Sequence, residues 1–295
     1  MPEGPEIYLT SCYINEVCKN RIFEGSVEKS DVNKNPDIPW NCKYRIFATS
    51  RGKELKLSLI HVKNVKKLNI LMRFGMTGSF KFTDVDSLPK HSHLRFYTGN
   101  KKSPKVLSFV DPRRFGKWEI NDKWSSDRSP DPMLEYEDFR KNVLVNLSQS
   151  IFNKPICEVL LNQKYFNGIG NYLRAEILYR AKIPPFDEAR KVLESLNISE
   201  DNAEGDILRL CKTIPLEVVD LHGNKYLEDS QGDFYSWLRC YENKNMNTMK
   251  DGNNRTIWFS GEPGSLASRL RDKRKNSTKR NKVTETKNHK KCSRK

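Results

Sequence analysis

The first residues, MPEGPEIYLT, hold two prolines and two glutamates ahead of a helical period. Glu3 and Glu6 are groups that could move a proton, which raises the question of a catalytic group at the chain's tip. The same residues also make a sound helix start. Proline suits a first helical position, because its missing N–H would have no partner there. Glutamates in a first turn meet the positive end of the helix dipole. Leu9, Cys12, Tyr13 and Val17 then recur at helical spacing. Taken alone, this stretch favours the helix start.

NQKYFNGIGNYLRAEILYR offers a second kind of chemistry. Gly168, Gly170 and Asn171 fit a tight turn opening a helix, where backbone N–H groups and the dipole bind phosphate. Glycines that allow close helix packing would explain the turn equally well. A dinucleotide site is disfavoured, because the third glycine is missing and no parallel-strand pattern precedes the turn. In DPRRFGKW, Arg113 and Phe115 form either a surface turn with one core aromatic or a wedge. Proteins that extract a base from a duplex need an apolar plate and a cation to fill the gap. Met76, in the glycine-flanked turn RFGMTGSF, is a second candidate plug. Arg255, in DGNNRTIWF, stands beside a hairpin turn, where its guanidinium could grip phosphates or face solvent.

These residues need elements to position them. After the first helix, residues 21–120 read as strands, with RIFATSRGKELKLSLIHV and KKLNILMRFGMTGSFKF alternating apolar and polar positions. Gly52, Gly75 and Gly78 mark turns or bulges. HLRFYTG and KVLSFVD continue the pattern, which predicts an antiparallel sandwich or barrel. After RSPDPM the period becomes helical. Met133, Phe139, Val143 and Leu147 fit one helix, KPICEVLLNQ starts a second, and NYLRAEILYRAKIPP is a third, stopped by Pro184 and Pro185. Two more helices are expected in 187–196 and 200–220. DFYSWLRCYENKNMNTMKDGNNRTIWFSGEPG returns to strand character around an Asp251-Gly252 turn. The expected organisation is α+β and multidomain: a β-sandwich domain over 2–130, a helical domain over 131–232, a hairpin over 233–264 and a basic tail over 265–295.

The 295 residues carry a formal net charge of +16. From Arg269 onward there are 13 basic and 2 acidic residues, which hold +11 of that total. Almost nothing there is apolar, so the tail cannot offset its ordering entropy and is expected to be disordered. Such a run reads as a nucleic-acid arm, a nuclear-import signal or a solvated tail with no specific role. The seven cysteines show no paired spacing, so neither a disulfide framework nor a zinc site is suggested. No signal peptide is visible, and no apolar run approaches the roughly 20 residues of a membrane span. A soluble, reduced, intracellular protein with no membrane partner is expected, placed in the nucleus by its tail.

PEGPE, RGK, KHSH, DPRRFG, NGIGN and RTIWF occur in that order. Together they resemble the formamidopyrimidine-DNA glycosylase / endonuclease VIII family of base-excision repair enzymes, over about residues 2–264. The resemblance implies an N-terminal β-sandwich and a helix–two-turns–helix domain, with damaged DNA in the cleft between them. In that family four cysteines normally bind zinc in a finger that completes the second domain. Here the corresponding stretch has only Cys240. NRTIWFSGEPG instead looks like the zincless finger of the eukaryotic endonuclease VIII-like branch. No metal or other cofactor is therefore expected, and the protein is expected to act as a monomer.

The resemblance also gives the chain's tip a role. With Met1 removed, Pro2 is a free secondary amine with a pKa near 8, partly unprotonated and nucleophilic at neutral pH. Its attack on C1′ of a damaged nucleotide would expel the base and form a cationic imine. Strand cleavage by β- and then δ-elimination would follow. Glu3 is implied as the general acid, given a pKa raised by burial, and Glu6 as the residue that orients Pro2 or Glu3. Lys53 matches a lysine that contacts the lesion's phosphate and assists proton transfer. Asn171 and Arg255 match phosphate-binding positions, while Met76, Arg113 and Phe115 align with a void-filling set. His91 and Lys154 match further DNA contacts, whose charge would make binding steeply salt-dependent. The branch suggests oxidised pyrimidines and hydantoins in preference to 8-oxoguanine. A non-catalytic damaged-DNA-binding protein would share the tail and the phosphate turn, but would leave Pro2, Glu3 and Lys53 without a task.

Overall fold

The computed structural model describes residues 2–196, 205–221 and 231–268. It opens with α1 (Gly4–Cys18), with Glu3 at the N-cap and Ile7, Ile14 and Cys18 turned into a core. Two antiparallel sheets follow. One holds β1 (Phe23–Ser26), β3 (Asn41–Arg51), β4 (Glu54–His61), β5 (Lys67–Arg73) and β9 (Lys117–Ile120), in that order. The other runs β2 (Glu28–Lys29), β7 (Ser92–Tyr97), β8 (Lys105–Val110) and β6 (Ser79–Asp84). Strand periodicity decides which face is covered: Tyr44, Ile46 and Ala48 of β3 are buried, while Lys43, Arg45 and Phe47 face out. Inside, Phe74, Phe80, Phe109 and Trp118 meet with ring centroids 5.4 to 6.0 Å apart.

Helix α1 also completes a strand edge. β1 pairs with β3 only as far as Tyr44. Farther along, Ala48 N–H donates to Asn15 Oδ1 at 2.8 Å, and Asn15 Nδ2 donates to Ala48 O at 2.9 Å. One asparagine amide thus satisfies both backbone groups that the missing strand leaves open.

The rest is helical: α2 (Tyr136–Val145), α3 (Ile156–Val159), α4 (Asn171–Ala181), α5 (Ala189–Leu193), α6 (Ile207–Leu221) and α7 (Gln231–Trp237). A hairpin of β10 (Asn247–Lys250) and β11 (Thr256–Phe259) ends the described elements. Residues Tyr172–Leu178 of α4 are buried, in a core that includes Phe139, Phe152, Phe166, Ile214 and Ile257. A smaller cluster of Leu9, Met133 and Val219 ties α1 to α6.

Several elements differ from expectation. α2 begins after Met133 and ends before Leu147, and KPICEVLLNQ yields only the single turn of α3. α4 stops ahead of Pro184 because Lys182 takes a left-handed φ of 56°, and its N–H returns to Leu178 O and Tyr179 O. DFYSW lies in helix α7 rather than a strand. The β10–β11 connection spans five residues rather than an Asp-Gly pair, because Lys250 pairs with Thr256. Asp251 Oδ1 organises that loop by accepting from the N–H groups of Asn253 and Arg255, both at 2.9 Å. The expected tail from 269 onward and the start of the 200–220 helix lie outside the described residues.

Candidate active site

Three distant segments meet backbone to backbone at the tip of α1. Gly4 N–H donates to Gly168 O at 2.9 Å. A Cβ on Gly168 would stand 3.3 Å from Gly52 Cα and 3.5 Å from Gly4 Cα. Gly168 has φ 94° and Gly52 φ 56°, the left-handed region that glycine enters at little cost. The tip of α1, the β3–β4 turn and the turn before α4 are therefore interlocked through backbone. Side chains fix the same junction. Asp131 Oδ2 accepts the Gly52 N–H at 2.7 Å, and Gln163 Oε1 accepts the Gly168 N–H at 3.1 Å. The buried Asn167 accepts the Lys53 N–H at 3.3 Å and donates to Ser129 O at 3.0 Å.

This junction delivers the Glu3 carboxyl group to the N-terminus of α4. Glu3 is 1% exposed. Its Oε1 accepts from Tyr172 N–H at 3.1 Å, and Oε2 accepts from Leu173 N–H at 3.3 Å. Gly170 is what makes the approach possible, since a Cβ there would lie 2.2 Å from Glu3 Cδ. Burial drives the Glu3 carboxyl up to about 7, against the pull of Lys53 and with a further push from Glu6. The two backbone N–H groups draw it back down. A carboxyl group at that point can hold or release a proton near neutral pH.

Lys53, half-buried on the β3–β4 turn, donates from Nζ to Ile169 O at 2.7 Å. Burial lowers its pKa to about 8; Glu3 opposes that shift, and the cations Arg128 and Arg255 add to it. Glu6 accepts the Glu3 N–H at 2.8 Å on Oε2 and the Tyr172 hydroxyl at 2.9 Å on Oε1. Tyr172 is a residue the sequence did not single out, and its place directly after Asn171 was the only available signal. Beside Lys53, the buried Glu54 accepts from Arg73 Nε at 2.8 Å and pairs with Arg128 Nε at 3.3 Å. Pro2 is half-buried, adjacent to Glu3 in the chain.

The other expected residues fall into groups. Asn171 is the first residue of α4, and its Oδ1 is buried with no hydrogen-bond partner among the described residues. Arg255 is exposed on the hairpin loop, which α4 supports from below. Arg174 pairs with Asp251 at 2.7 Å, both fully buried, and donates to Thr256 O at 3.1 Å. Glu176 accepts the N–H groups of Cys240 at 2.8 Å and Tyr241 at 2.9 Å. Over 231–268 Cys240 is the only cysteine and histidine is absent, so the residues do not fit a four-cysteine zinc site. Among the described residues, no cluster of three or more His, Cys, Asp or Glu side chains could hold a metal ion.

Met76 and Phe115 project into solvent, 42% and 50% exposed, from neighbouring loops. The Arg113 guanidinium lies 4.7 Å over the Phe115 ring. His91 is exposed beside them, and its C=O accepts the Asp111 N–H at 3.1 Å. Lys154 is exposed in the helical half, where its backbone pairs with Ile151 and Ala189.

Known proteins resemble this chain in sequence and in fold. Residues 1–118 match the formamidopyrimidine-DNA glycosylase N-terminal domain, and residues 231–268 match the DNA-binding domain of endonuclease VIII-like 1. The chain is 46% identical over 301 residues to human endonuclease 8-like 1, covering 95% of this chain and 77% of that protein. It is 48% identical over 289 residues to the mouse endonuclease 8-like 1, covering 90% and 74%. The fold matches Lactococcus lactis Fpg (MutM), solved in complex with an oxidised-pyrimidine-containing DNA. That match has a TM-score of 0.67 at 21% identity, over 88% of this chain and 97% of that one. With two relatives this similar over most of their length, the chain belongs to the formamidopyrimidine-DNA glycosylase / endonuclease VIII family.

Proposed function

We propose that this protein is a bifunctional DNA glycosylase and abasic-site lyase of base-excision repair. The observation that carries the reading is Glu3: a buried carboxyl group, pushed up to about 7, next to the residue that becomes the chain terminus when Met1 is removed. The names of its bacterial relatives and of the matched N-terminal domain support the glycosylase activity.

In this account the Pro2 nitrogen attacks C1′ of an extruded nucleotide. The C1′–N bond of the damaged base breaks, and Glu3 supplies the proton that the departing base or the opening sugar oxygen takes up. The resulting iminium ion acidifies C2′–H, and loss of that proton expels the 3′ phosphate; loss of a second proton, from C4′ of the conjugated imine, then expels the 5′ phosphate. Lys53 offers the phosphate a cation in this account, and its pKa of about 8 supports a part in proton transfer. Glu6, gripped by Tyr172, holds the first turn of α1 in place. Asn171 and Arg255 bind phosphates from the start of α4 and from the hairpin, while Met76, Arg113 and Phe115 fill the gap in the duplex. His91 and Lys154 add backbone contacts.

The helices around α4 form the family's helix–two-turns–helix unit, and the hairpin is a zincless finger held by Arg174–Asp251 and Glu176. The protein works as a monomer in the nucleus, without a cofactor. Oxidised pyrimidines and hydantoins are preferred.

Duplex oligonucleotides carrying one oxidised pyrimidine, one hydantoin or one 8-oxoguanine test the proposal. Base release with 3′-phosphate ends, fastest for the first two lesions, is expected. Tight binding without cleavage of any substrate would favour the non-catalytic damage-binding reading.

A further inference from the structure

Three loops carry the exposed side chains Met76, His91 and the Arg113–Phe115 pair, and one buried carboxylate joins them. Asp111 follows β8 and is 1% exposed. Its Oδ1 accepts the Thr77 hydroxyl at 2.6 Å, from the loop of Met76. Its Oδ2 accepts the Gly116 N–H at 2.7 Å, next to Phe115. Its backbone N–H donates to His91 O at 3.1 Å, and its backbone O accepts the Arg114 N–H at 3.2 Å. His93, also buried, has Nε2 3.1 Å from the same oxygen. Thr77 Oγ1 in turn accepts the Arg113 N–H at 3.4 Å.

The loops pack tightly against one another and against β8. A Cβ on Gly75 would lie 2.7 Å from Phe115 C, and one on Gly116 would lie 2.7 Å from the Phe109 ring. Each loop also holds one residue with a left-handed φ: Gly75 at 65°, His91 at 67° and Arg114 at 56°. For His91 and Arg114 that backbone is unfavourable, and it persists only where the surroundings over-determine it. Asp111 bonds directly to the backbone of His91 and Arg114, and it reaches the loop of Gly75 through Thr77.

We propose that Asp111 is a positioning residue that makes the three loops one rigid probe, so that Met76, Arg113 and Phe115 enter a duplex as a unit. This inference rests on the proposed repair activity, and it names what sets the efficiency of base extrusion. Asp111 touches no substrate; it acts through the spacing of the exposed tips. Where no helix has to be opened, the spacing should not matter.

Two substrates separate that role from a general structural one. The first is a duplex with an oxidised pyrimidine beside a 2-aminopurine, whose fluorescence reports extrusion. The second is a single-stranded oligonucleotide with a preformed abasic site. Asp111→Asn, in which only one side-chain atom can still accept, should slow both the fluorescence rise and excision about tenfold or more. Cleavage of the single strand should stay within about twofold of the parent. Thr77→Val, which leaves the carboxylate and its Gly116 bond in place, should show the same selectivity, and Thr77→Ser should restore duplex excision. Thr77→Val carries the test if Asp111→Asn fails to fold. Equal slowing on both substrates, or unimpaired duplex extrusion in Thr77→Val, would overturn the proposal. A parent protein inert on both substrates would instead overturn the repair activity itself.

Discussion

Tyr172 and Glu3 lie 169 positions apart in the chain and meet through the Tyr172 N–H and Glu3 Oε1, at 3.1 Å. The same tyrosine donates its hydroxyl to Glu6 Oε1 at 2.9 Å, and Glu6 takes the Glu3 N–H at 2.8 Å. The three residues thus close a ring across the junction of α1 and α4. The Tyr172 ring lies edge-on to Phe234 of α7, with centroids 5.4 Å apart, so an aromatic layer backs the carboxyl pair.

Tyr172→Phe keeps the ring and the backbone N–H but removes the hydroxyl from Glu6. A hydrogen bond to a charged group contributes about 1.5–3 kcal/mol, so single-turnover excision should slow roughly tenfold or more. Affinity for an uncleavable abasic-analogue duplex, read by gel shift, should change far less.

Glu3 should leave a pH signature in stability. Its folded pKa of about 7 lies above its ordinary value of 4.5, so between those values the folded protein keeps a proton that the unfolded chain has released. The stabilisation is complete below pH 4.5 and is lost as pH rises through 7, on the order of 3 kcal/mol in all. Glu3→Gln cannot ionise. Urea unfolding at a series of pH values should show the variant gaining on the parent by that order between pH 4.5 and 8. The excision–pH profile of the parent should be bell-shaped, because Glu3 must keep its proton while the Pro2 amine must have lost one. Glu6→Gln, which removes a negative neighbour of Glu3, should move the acid limb to lower pH.

Gly170→Ala tests the close approach of the two helices. The added Cβ would stand 2.2 Å from Glu3 Cδ, so the carboxyl group must shift. A displacement of about 1 Å at a reacting group can cost about a hundredfold in rate. Excision should fall by about that factor.

The hairpin should depend on an ion pair and not on a metal. Arg174→Met leaves Asp251 charged and buried, at a cost of about 3–5 kcal/mol. Limited proteolysis should then cut within 239–259, and DNA binding should lose part of its salt dependence as Arg255 is released. A chelator should leave gel-shift affinity unchanged. Loss of binding that zinc restores would contradict this.

Much of the architecture was legible in the sequence, because strand alternation and helix period report directly which faces are buried. Tyr44, Ile46 and Ala48 of β3 show this. The turn before α4 was open to two readings in the sequence, phosphate binding by its backbone N–H groups or close packing. The close packing is present, with Gly168 against Gly4 and Gly52 and with Gly170 against Glu3. Tyr172 was not legible: an aromatic residue inside a helix reads as core, and its hydroxyl partner lies 166 positions away. Asp111 likewise reads as an ordinary turn aspartate. α7 was taken for strand because DFYSW is too short to show a period. Such residues acquire their roles only when distant segments meet.

The central claim is that the chain's terminal amine, next to Glu3, is the nucleophile. Borohydride trapping on abasic-site DNA, followed by proteolysis and mass spectrometry, tests it most directly. The predicted result is a DNA-bearing peptide that begins at Pro2 and lacks Met1, with no adduct in Pro2→Gly. An adduct on Lys53, or trapping by protein that still carries Met1, would contradict it.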